Sequence, residues 1–257
     1  RLIALCDHDT TEGLEPMAVA VAEQNASGKT LAMIAGIELS TGIDGRLHLL
    51  GYGVNAADPA LQGAIARLRE MRVTRGQEMV RALARLGMEI PPALLPNDDP
   101  SGNAIGRPHI ARALIAMGAV NTVDQAFDRY LGEGKPAYAA LTHLTAEQGI
   151  RLLSAAGAVP VLAHPMRLGL APQHLEAMIQ SLIGVGLRGV EVYHPSADRN
   201  GIRALEAIAR RYGLLVTGGS DFHGDRGTRG KLGGLPSGWR SWEADIEALQ
   251  SAIEQRW

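Results

Sequence analysis

The sequence predicts an α/β fold, and three observations carry that prediction. Six short apolar runs, at 2–6, 33–38, 47–52, 159–163, 189–193 and 214–219, have the length and the Ile, Val and Leu content of buried strands. Five helical patterns separate or follow them, at 13–26, 145–156, 172–186, 200–212 and 242–255, the alternation expected of βαβ units. The strand runs show little polar alternation, which points to a parallel sheet covered on both faces. The stretch from 56 to 144 breaks the rhythm with helices and no strand pattern, and reads as an all-helical insertion capping the mouth of the sheet. The chain therefore divides into a first α/β part at 1–55, the insertion at 56–144, and a second α/β part at 145–257.

In chain order, Leu2-Ile3-Ala4-Leu5 runs directly into Cys6-Asp7-His8-Asp9. A polar cluster at the end of an apolar strand lies where α/β enzymes keep their chemistry. The motif stands close to the first residue and no initiator Met precedes it, as expected of a chain that starts mid-domain. Within the insertion, 59–87 forms a long Arg-rich helical pattern. Pro91-Pro92 and the cluster Asn97-Asp98-Asp99-Pro100-Ser101-Gly102 mark a loop, and helices are expected at 107–118 and 122–131. Thr145-Ala146-Glu147-Gln148 is a capping box, with Gln148 spaced to reach back to the cap amide. Gly157 and Gly213 fall where helices at 145–156 and 200–212 would need a left-handed residue.

A chain of 257 residues is long enough for one large α/β domain or a domain with an insertion. Its net charge of -2 argues against strong non-specific adhesion to nucleic acid, which needs many basic contacts to phosphate. No apolar stretch approaches the ~18 residues of a membrane span. The single cysteine, Cys6, cannot form an internal disulfide; it fits a reducing, cytoplasmic compartment and reads as a small core residue. No stable protein partner is inferable.

Five strand ends carry polar groups that a purely structural sheet does not need. They are Asp7-His8-Asp9; Glu38 in Ala35-Gly36-Ile37-Glu38-Leu39-Ser40; His48 in Leu47-His48-Leu49; His164 in Leu162-Ala163-His164-Pro165; and Asp221 with His223 in Gly219-Ser220-Asp221-Phe222-His223. Imidazole and carboxylate together suit divalent ions such as Zn²⁺ or Mn²⁺. Asp221 and His223, two apart on an extended chain, point to the same side. Taken singly, each of these residues reads as solvated or hydrogen-bonded; it is their repetition at successive strand ends that indicates a shared site. His143 and His174 are read as exposed, and His194, which follows a strand, as a surface-loop residue in preference to one lining the mouth.

These motifs resemble the PHP (polymerase and histidinol phosphatase) superfamily of metal-dependent phosphoesterases, over nearly the whole chain. The resemblance implies a distorted seven-stranded β/α (TIM-like) barrel, with six strands here and the first strand missing. It also implies that His8, Glu38, His48, His164, Asp221 and His223 ligate two or three divalent ions, Mn²⁺ foremost and Zn²⁺ or Fe²⁺ as alternatives. The His-x-His pair that ends the family's first strand, and the metal-binding Asp after it, have no counterpart here. Asp7 is expected to buttress a ligand, the usual partner of a metal-bound imidazole.

The insertion, through Arg107-Pro108-His109-Ile110-Ala111-Arg112, Ala126-Phe127, Tyr130-Leu131 and Gly134-Lys135-Pro136-Ala137-Tyr138, resembles that of one PHP branch. That branch holds 3′,5′-nucleotide bisphosphate phosphatases and 5′-to-3′ exoribonucleases. Guanidinium groups pair with phosphate oxygens, so Arg75, Arg107 and His109 are candidates for a terminal 5′ phosphate, with a solvated helix face the equal reading for Arg75. The expected substrate is a nucleotide or short oligonucleotide. In the expected chemistry Glu38 bridges metals, Asp221 ligates and orients the attacking hydroxide, and His223 or His164 supports the leaving group. Two other readings remain open: a metal-dependent amidohydrolase, for which a strand-end Lys is missing, and a non-catalytic nucleotide-binding fragment.

Overall fold

The computed structural model describes residues 2–42, 44–95, 105–141, 143–223, 231–236, 238–239 and 242–255. It separates into two compact units, Arg1–Gln62 with His143–Trp257, and Gly63–Thr142.

The first unit is built on one six-stranded sheet in sequential order: β1 (Leu2–Leu5), β2 (Ala32–Thr41), β3 (Leu47–Tyr52), β4 (Val159–Leu162), β5 (Gly189–Tyr193) and β6 (Leu215–Gly218). The strands fall where the apolar runs predict them. The sheet is mixed rather than wholly parallel, however, because β3 runs antiparallel to both β2 and β4. The cause is connection length. Only residues 42–46 join β2 to β3, whereas a parallel crossover needs about a dozen residues or more. β1 pairs with β2, β4 with β5 and β5 with β6 in parallel. The expected seventh strand and closed barrel are not seen: the described residues form six strands, with β1 and β6 as the two edges. The sheet curls nonetheless, since the rings of His8 after β1 and His223 after β6 lie 6.0 Å apart.

Helices α1 (Leu14–Ala26), α5 (Ala146–Ala155), α6 (Pro172–Ile183), α7 (Arg199–Tyr212) and α8 (Trp242–Glu254) belong to this unit. The capping box of α5 forms as predicted: Thr145 Oγ1 accepts from the Gln148 amide at 3.1 Å and Gln148 Oε1 from the Thr145 amide at 2.9 Å. α7 starts on Asp198, whose carboxylate accepts from the Gly201 amide at 2.7 Å, and ends at Gly213 with φ 64°. Between these caps Ile202, Leu205, Ile208 and Ala209 form the buried stripe that docks on β5. Ile34, Leu50, Tyr52, Val159, Val161 and Leu249 close a core between the sheet and α8. Each such side chain contributes about 1.5–3 kcal/mol by leaving water.

The second unit is helical. α2 (Pro59–Arg85) continues into it, followed by α3 (Arg107–Ala116) and the short α4 (Val123–Ala126). The helix expected at 122–131 is split: α4 gives way to a π turn at Phe127–Leu131. Met79, Leu83, Ile110, Leu114, Ala126 and Leu131 make its core. The predicted turn at 97–102 lies outside the described residues. No described helix is long and apolar enough to cross a membrane.

Candidate metal centre

The site grows out of strand ends. In the β2–β3 hairpin, Ser40 lies opposite His48. Cross-strand partners share a face, as do residues two apart, so Glu38 and His48 are diagonal neighbours on one face. β1 is carried past Leu5 to the same place: Glu38 N–H donates to Asp7 O at 3.0 Å and Asp9 N–H to Glu38 O at 2.9 Å. Gly36 permits this approach, because a Cβ there would overlap Cys6 Sγ and lie 2.8 Å from Leu5 O. Asp9, buried and left-handed at φ 49°, fastens the junction by accepting the Ser40 amide at 2.8 Å.

Glu38 is the hub. Its Oε1 lies 2.6 Å from His48 Nδ1 and 3.0 Å from His164 Nε2, while Oε2 faces His8 Nε2 at 3.6 Å. Ligand atoms of His8, Glu38 and His48 all fall within 4.8 Å of one another. Burial alone would push the Glu38 carboxyl up, but hydrogen bonds from His164 and His48 and the charge of His8 hold it well below the usual carboxylate range. The second imidazole nitrogens have defined jobs. His48 Nε2 lies 2.8 Å from Gly45 O; a carbonyl only accepts, so this nitrogen carries hydrogen and Nδ1 is the atom turned toward Glu38. By the same reasoning His223 Nδ1, 2.7 Å from Asp221 O, donates and leaves Nε2 for a metal.

Asp221 forms the other side of the site. Its Oδ2 lies 3.2 Å from Arg167 Nη1 and 3.4 Å from His194 Nε2, and its Oδ1 lies 3.4 Å from His223 Nδ1. Burial raises its pKa, yet the hydrogen bond from His194 and the charge of His223 bring it below the usual value. His194 is buried rather than in a surface loop. Its Nδ1 accepts the Ser196 amide at 3.0 Å, so Nε2 carries the hydrogen and points a donor at Asp221. Glu191, also buried, accepts the His164 amide at 2.7 Å through Oε2. Burial chiefly, with Glu38 and Asp221 adding to it, pushes its pKa up to about 8. Burial likewise raises the Asp7 carboxyl and the Cys6 thiol, which makes Cys6 a poor nucleophile.

His8, Glu38, His164, His194, Asp221 and His223 line one cavity of about 740 Å³, a size suited to a nucleotide-scale ligand. Asp7 and Glu191 line it too, and carboxyl groups with several imidazoles around one space match the donor preference of borderline divalent ions. His164 Nδ1 is buried without a hydrogen-bond partner among the described residues, while its Nε2 is held against Glu38.

Against this geometry, an enzyme of Chromobacterium violaceum named 3′,5′-nucleoside bisphosphate phosphatase is 33% identical over 226 residues, 86% of this chain and 76% of that one. The chain belongs to these PHP-like phosphoesterases. Another member, named 5′-3′ exoribonuclease Rnm, from Escherichia coli, is 31% identical over 249 residues, 94% of this chain and 83% of that one. A solved structure from Chromobacterium violaceum, described as an amidohydrolase with bound sulfate and no metal, matches with a TM-score of 0.77 at 31% identity, over 95% of this chain and 86% of that one. One from Bifidobacterium adolescentis, described as a candidate metal-dependent phosphoesterase, matches with a TM-score of 0.76 at 28% identity, over 97% and 85%. No family model matches the chain.

All six predicted ligands of this family member, His8, Glu38, His48, His164, Asp221 and His223, lie in the first unit around the site. Arg75, Arg107 and His109 lie in the second. Arg75 Nε donates to Ala139 O at 2.8 Å with its guanidinium over the Tyr138 ring, Arg107 sits 5.6 Å from the Phe127 ring centre, and His109 Nδ1 accepts the Gly106 amide at 3.2 Å. His109 therefore caps α3. Sequence reasoning missed Glu191 and Arg167, and ranked the mouth-lining reading of His194 second. Glu191 did leave a signal, a lone carboxylate inside Gly189-Val190-Glu191-Val192-Tyr193, a strand buried throughout.

Proposed function

We infer that the chain is a metal-dependent phosphoesterase that hydrolyses phosphate esters of nucleotides, either as a 3′-phosphatase on 3′,5′-bisphosphates or as a 5′-3′ exonuclease on short 5′-phosphorylated RNA. The observation that carries this reading is Glu38, a buried carboxylate whose two oxygens face different imidazoles: Oε1 faces His48 and His164, and Oε2 faces His8. Such a carboxylate is suited to being shared between two ions. His8, Glu38, His48, His164, Asp221 and His223 would hold two or three ions, Mn²⁺ foremost. Divalent ions in that position acidify a bound water and neutralise charge on the phosphoryl oxygens.

The chain's own groups supply orientation and proton handling. His194 Nε2 stands 3.4 Å from the Asp221 carboxylate, which is placed to orient the attacking water. His223 and His164 are the candidates to support the departing oxygen. Arg75, Arg107 and His109 are assigned to the substrate's 5′ phosphate, for which a planar fork of donors is the best match.

A substrate panel tests the reading. Purified protein with added Mn²⁺ is expected to release phosphate from a nucleoside 3′,5′-bisphosphate, or nucleotides from a short 5′-phosphorylated RNA, and to leave simple and cyclic amides intact. Hydrolysis of amides alone would replace it with the amidohydrolase reading. Absence of bound metal together with no turnover would leave a nucleotide-binding module.

A further inference from the structure

Glu191 has no place in the phosphoesterase chemistry as described, yet its position in the fold is costly. It sits within β5, a strand flanked on both sides and buried at all five of its residues. A carboxylate in such a place needs partners, and its partners are backbone. The parallel ladder between β4 and β5 ends at Leu162 and Val190. Two residues further on, His164 N–H reaches the Glu191 side chain instead of a β5 carbonyl, at 2.7 Å from Oε2.

His164 needs that support. Its backbone stands at φ 28°, ψ 56°, a left-handed conformation that residues with a Cβ seldom adopt. The turn that follows, Pro165–Leu168, starts at once. Glu191 also meets the second ligand-bearing segment. A Cβ on Gly219, two residues before Asp221, would lie 2.8 Å from Glu191 Oε1. The Gly219 amide in turn bonds Tyr193 O at 3.0 Å, beside a register shift that falls between Glu191 and Tyr193. One carboxylate thus has an oxygen against each of the two segments that carry His164 and Asp221.

We propose that Glu191 is a positioning residue that sets the spacing of the His164 and Asp221 segments, and hence the metal affinity of the site, by bonding the first and abutting the second. This rests on the reading of His164 and Asp221 as metal ligands. It also gives glycine at position 219 a role, since a Cβ there would crowd Glu191 Oε1.

The test is Mn²⁺ binding by calorimetry on metal-stripped full-length protein, with the unfolding midpoint of the metal-free form measured alongside. Glu191→Ala is expected to weaken binding by about 10–100-fold, the usual cost of losing a group that orients a ligand. Glu191→Gln, which keeps an acceptor for the His164 amide, is expected to restore affinity to within about threefold of wild type on the same scale. Gly219→Ala is expected to reproduce the deficit without altering β5, and the double variant Glu191→Ala/Gly219→Ala to fall well short of the summed losses. Wild-type affinity in both Glu191→Ala and Gly219→Ala would overturn the proposal. So would a lowered unfolding midpoint in those variants with unchanged affinity. Should Glu191→Ala fail to fold, Gly219→Ala alone decides. A wild-type protein that binds no Mn²⁺ overturns the metal-site reading itself, an outcome distinct from loss of the Glu191 role.

Discussion

Replacing Glu191 by Gln in the metal-free protein should make the fold more stable at alkaline pH and leave it nearly unchanged at acidic pH. Burial, with Glu38 and Asp221 nearby, raises the folded-state pKa to about 8, against about 4.3 for a glutamate in an unfolded chain. Between those values the folded protein holds a proton that the unfolded chain has released, so stability falls as pH rises through the window and is flat above it. The gap of nearly four units, at about 1.4 kcal/mol each, sets an upper bound of about 5 kcal/mol, and relaxation with water entry leaves a few kcal/mol of it. Gln keeps the acceptor for the His164 amide without the proton linkage. The assay is urea unfolding in a chelator at several pH values from 5 to 9, wild type against E191Q. Trp239 and Trp242 belong to the first unit, so their fluorescence reads the unit that contains Glu191. A stability difference between the two proteins that does not change with pH would refute the reasoning. Glu38, shifted the opposite way, is common to both and drops out of the difference.

Glu38→Gln should lower Mn²⁺ affinity by more than about 100-fold, beyond the cost of losing an orienting group alone, as calorimetry would show. The same variant should flatten the acid side of the stability profile. In the wild type the depressed Glu38 pKa contributes stability that is present above about pH 4.3 and lost as pH falls further, read by acid titration of the metal-free fold. Arg107→Ala should raise KM for a nucleoside 3′,5′-bisphosphate about 10–100-fold, the equivalent of one charge-assisted contact, and hardly alter hydrolysis of an aryl phosphate. Steady-state kinetics on both substrates checks this, and equal losses would remove the anchoring role. Leu114→Ala, in the fully buried core of the second unit, should cost about 2–5 kcal/mol in a denaturant titration followed by circular dichroism. Mn²⁺ affinity should be unchanged, since every candidate ligand lies in the other unit.

Strand positions were legible because buried strands are short apolar runs, and the polar residues that end them stand out against that background. His8, Glu38, His164, Asp221 and His223 were singled out this way. The direction of β3 was read as parallel although residues 42–46 are too few for a crossover, so a length argument was available and outweighed by the apolar pattern. His194 was read singly, as a residue that follows a strand. Its burial depends on the curl of the sheet, and its donor role depends on the Ser196 amide, neither of which local sequence displays. Glu191 was hidden for a related reason. A carboxylate in a strand reads as an exception to an apolar run until the backbone amide that it accepts is known, and that amide is 27 residues away. His109 shows the converse limit: local geometry gave its ring a capping job that motif matching did not anticipate.

The reversed strand is what allows the candidate ligands to meet. His48 is the second residue of β3. Were β3 parallel to its neighbours, a residue at its start would lie at the far end of the sheet from His8 and His164. Six residues at about 3.3 Å each span roughly 20 Å, too far for any shared ion. Antiparallel pairing brings the start of β3 to the same rim where the parallel strands end. The side chain must then emerge on the correct face, and a one-residue slip of the hairpin would turn it away from Glu38. The turn guards against that slip. Gly42, Asp44 and Gly45 all have positive φ, at 74°, 55° and 66°, and Gly45 gives its carbonyl to His48 Nε2. The turn that fixes the register therefore also fixes which imidazole nitrogen faces Glu38. A short connection, a reversed strand and an oriented ligand are thus consequences of one local choice of sequence.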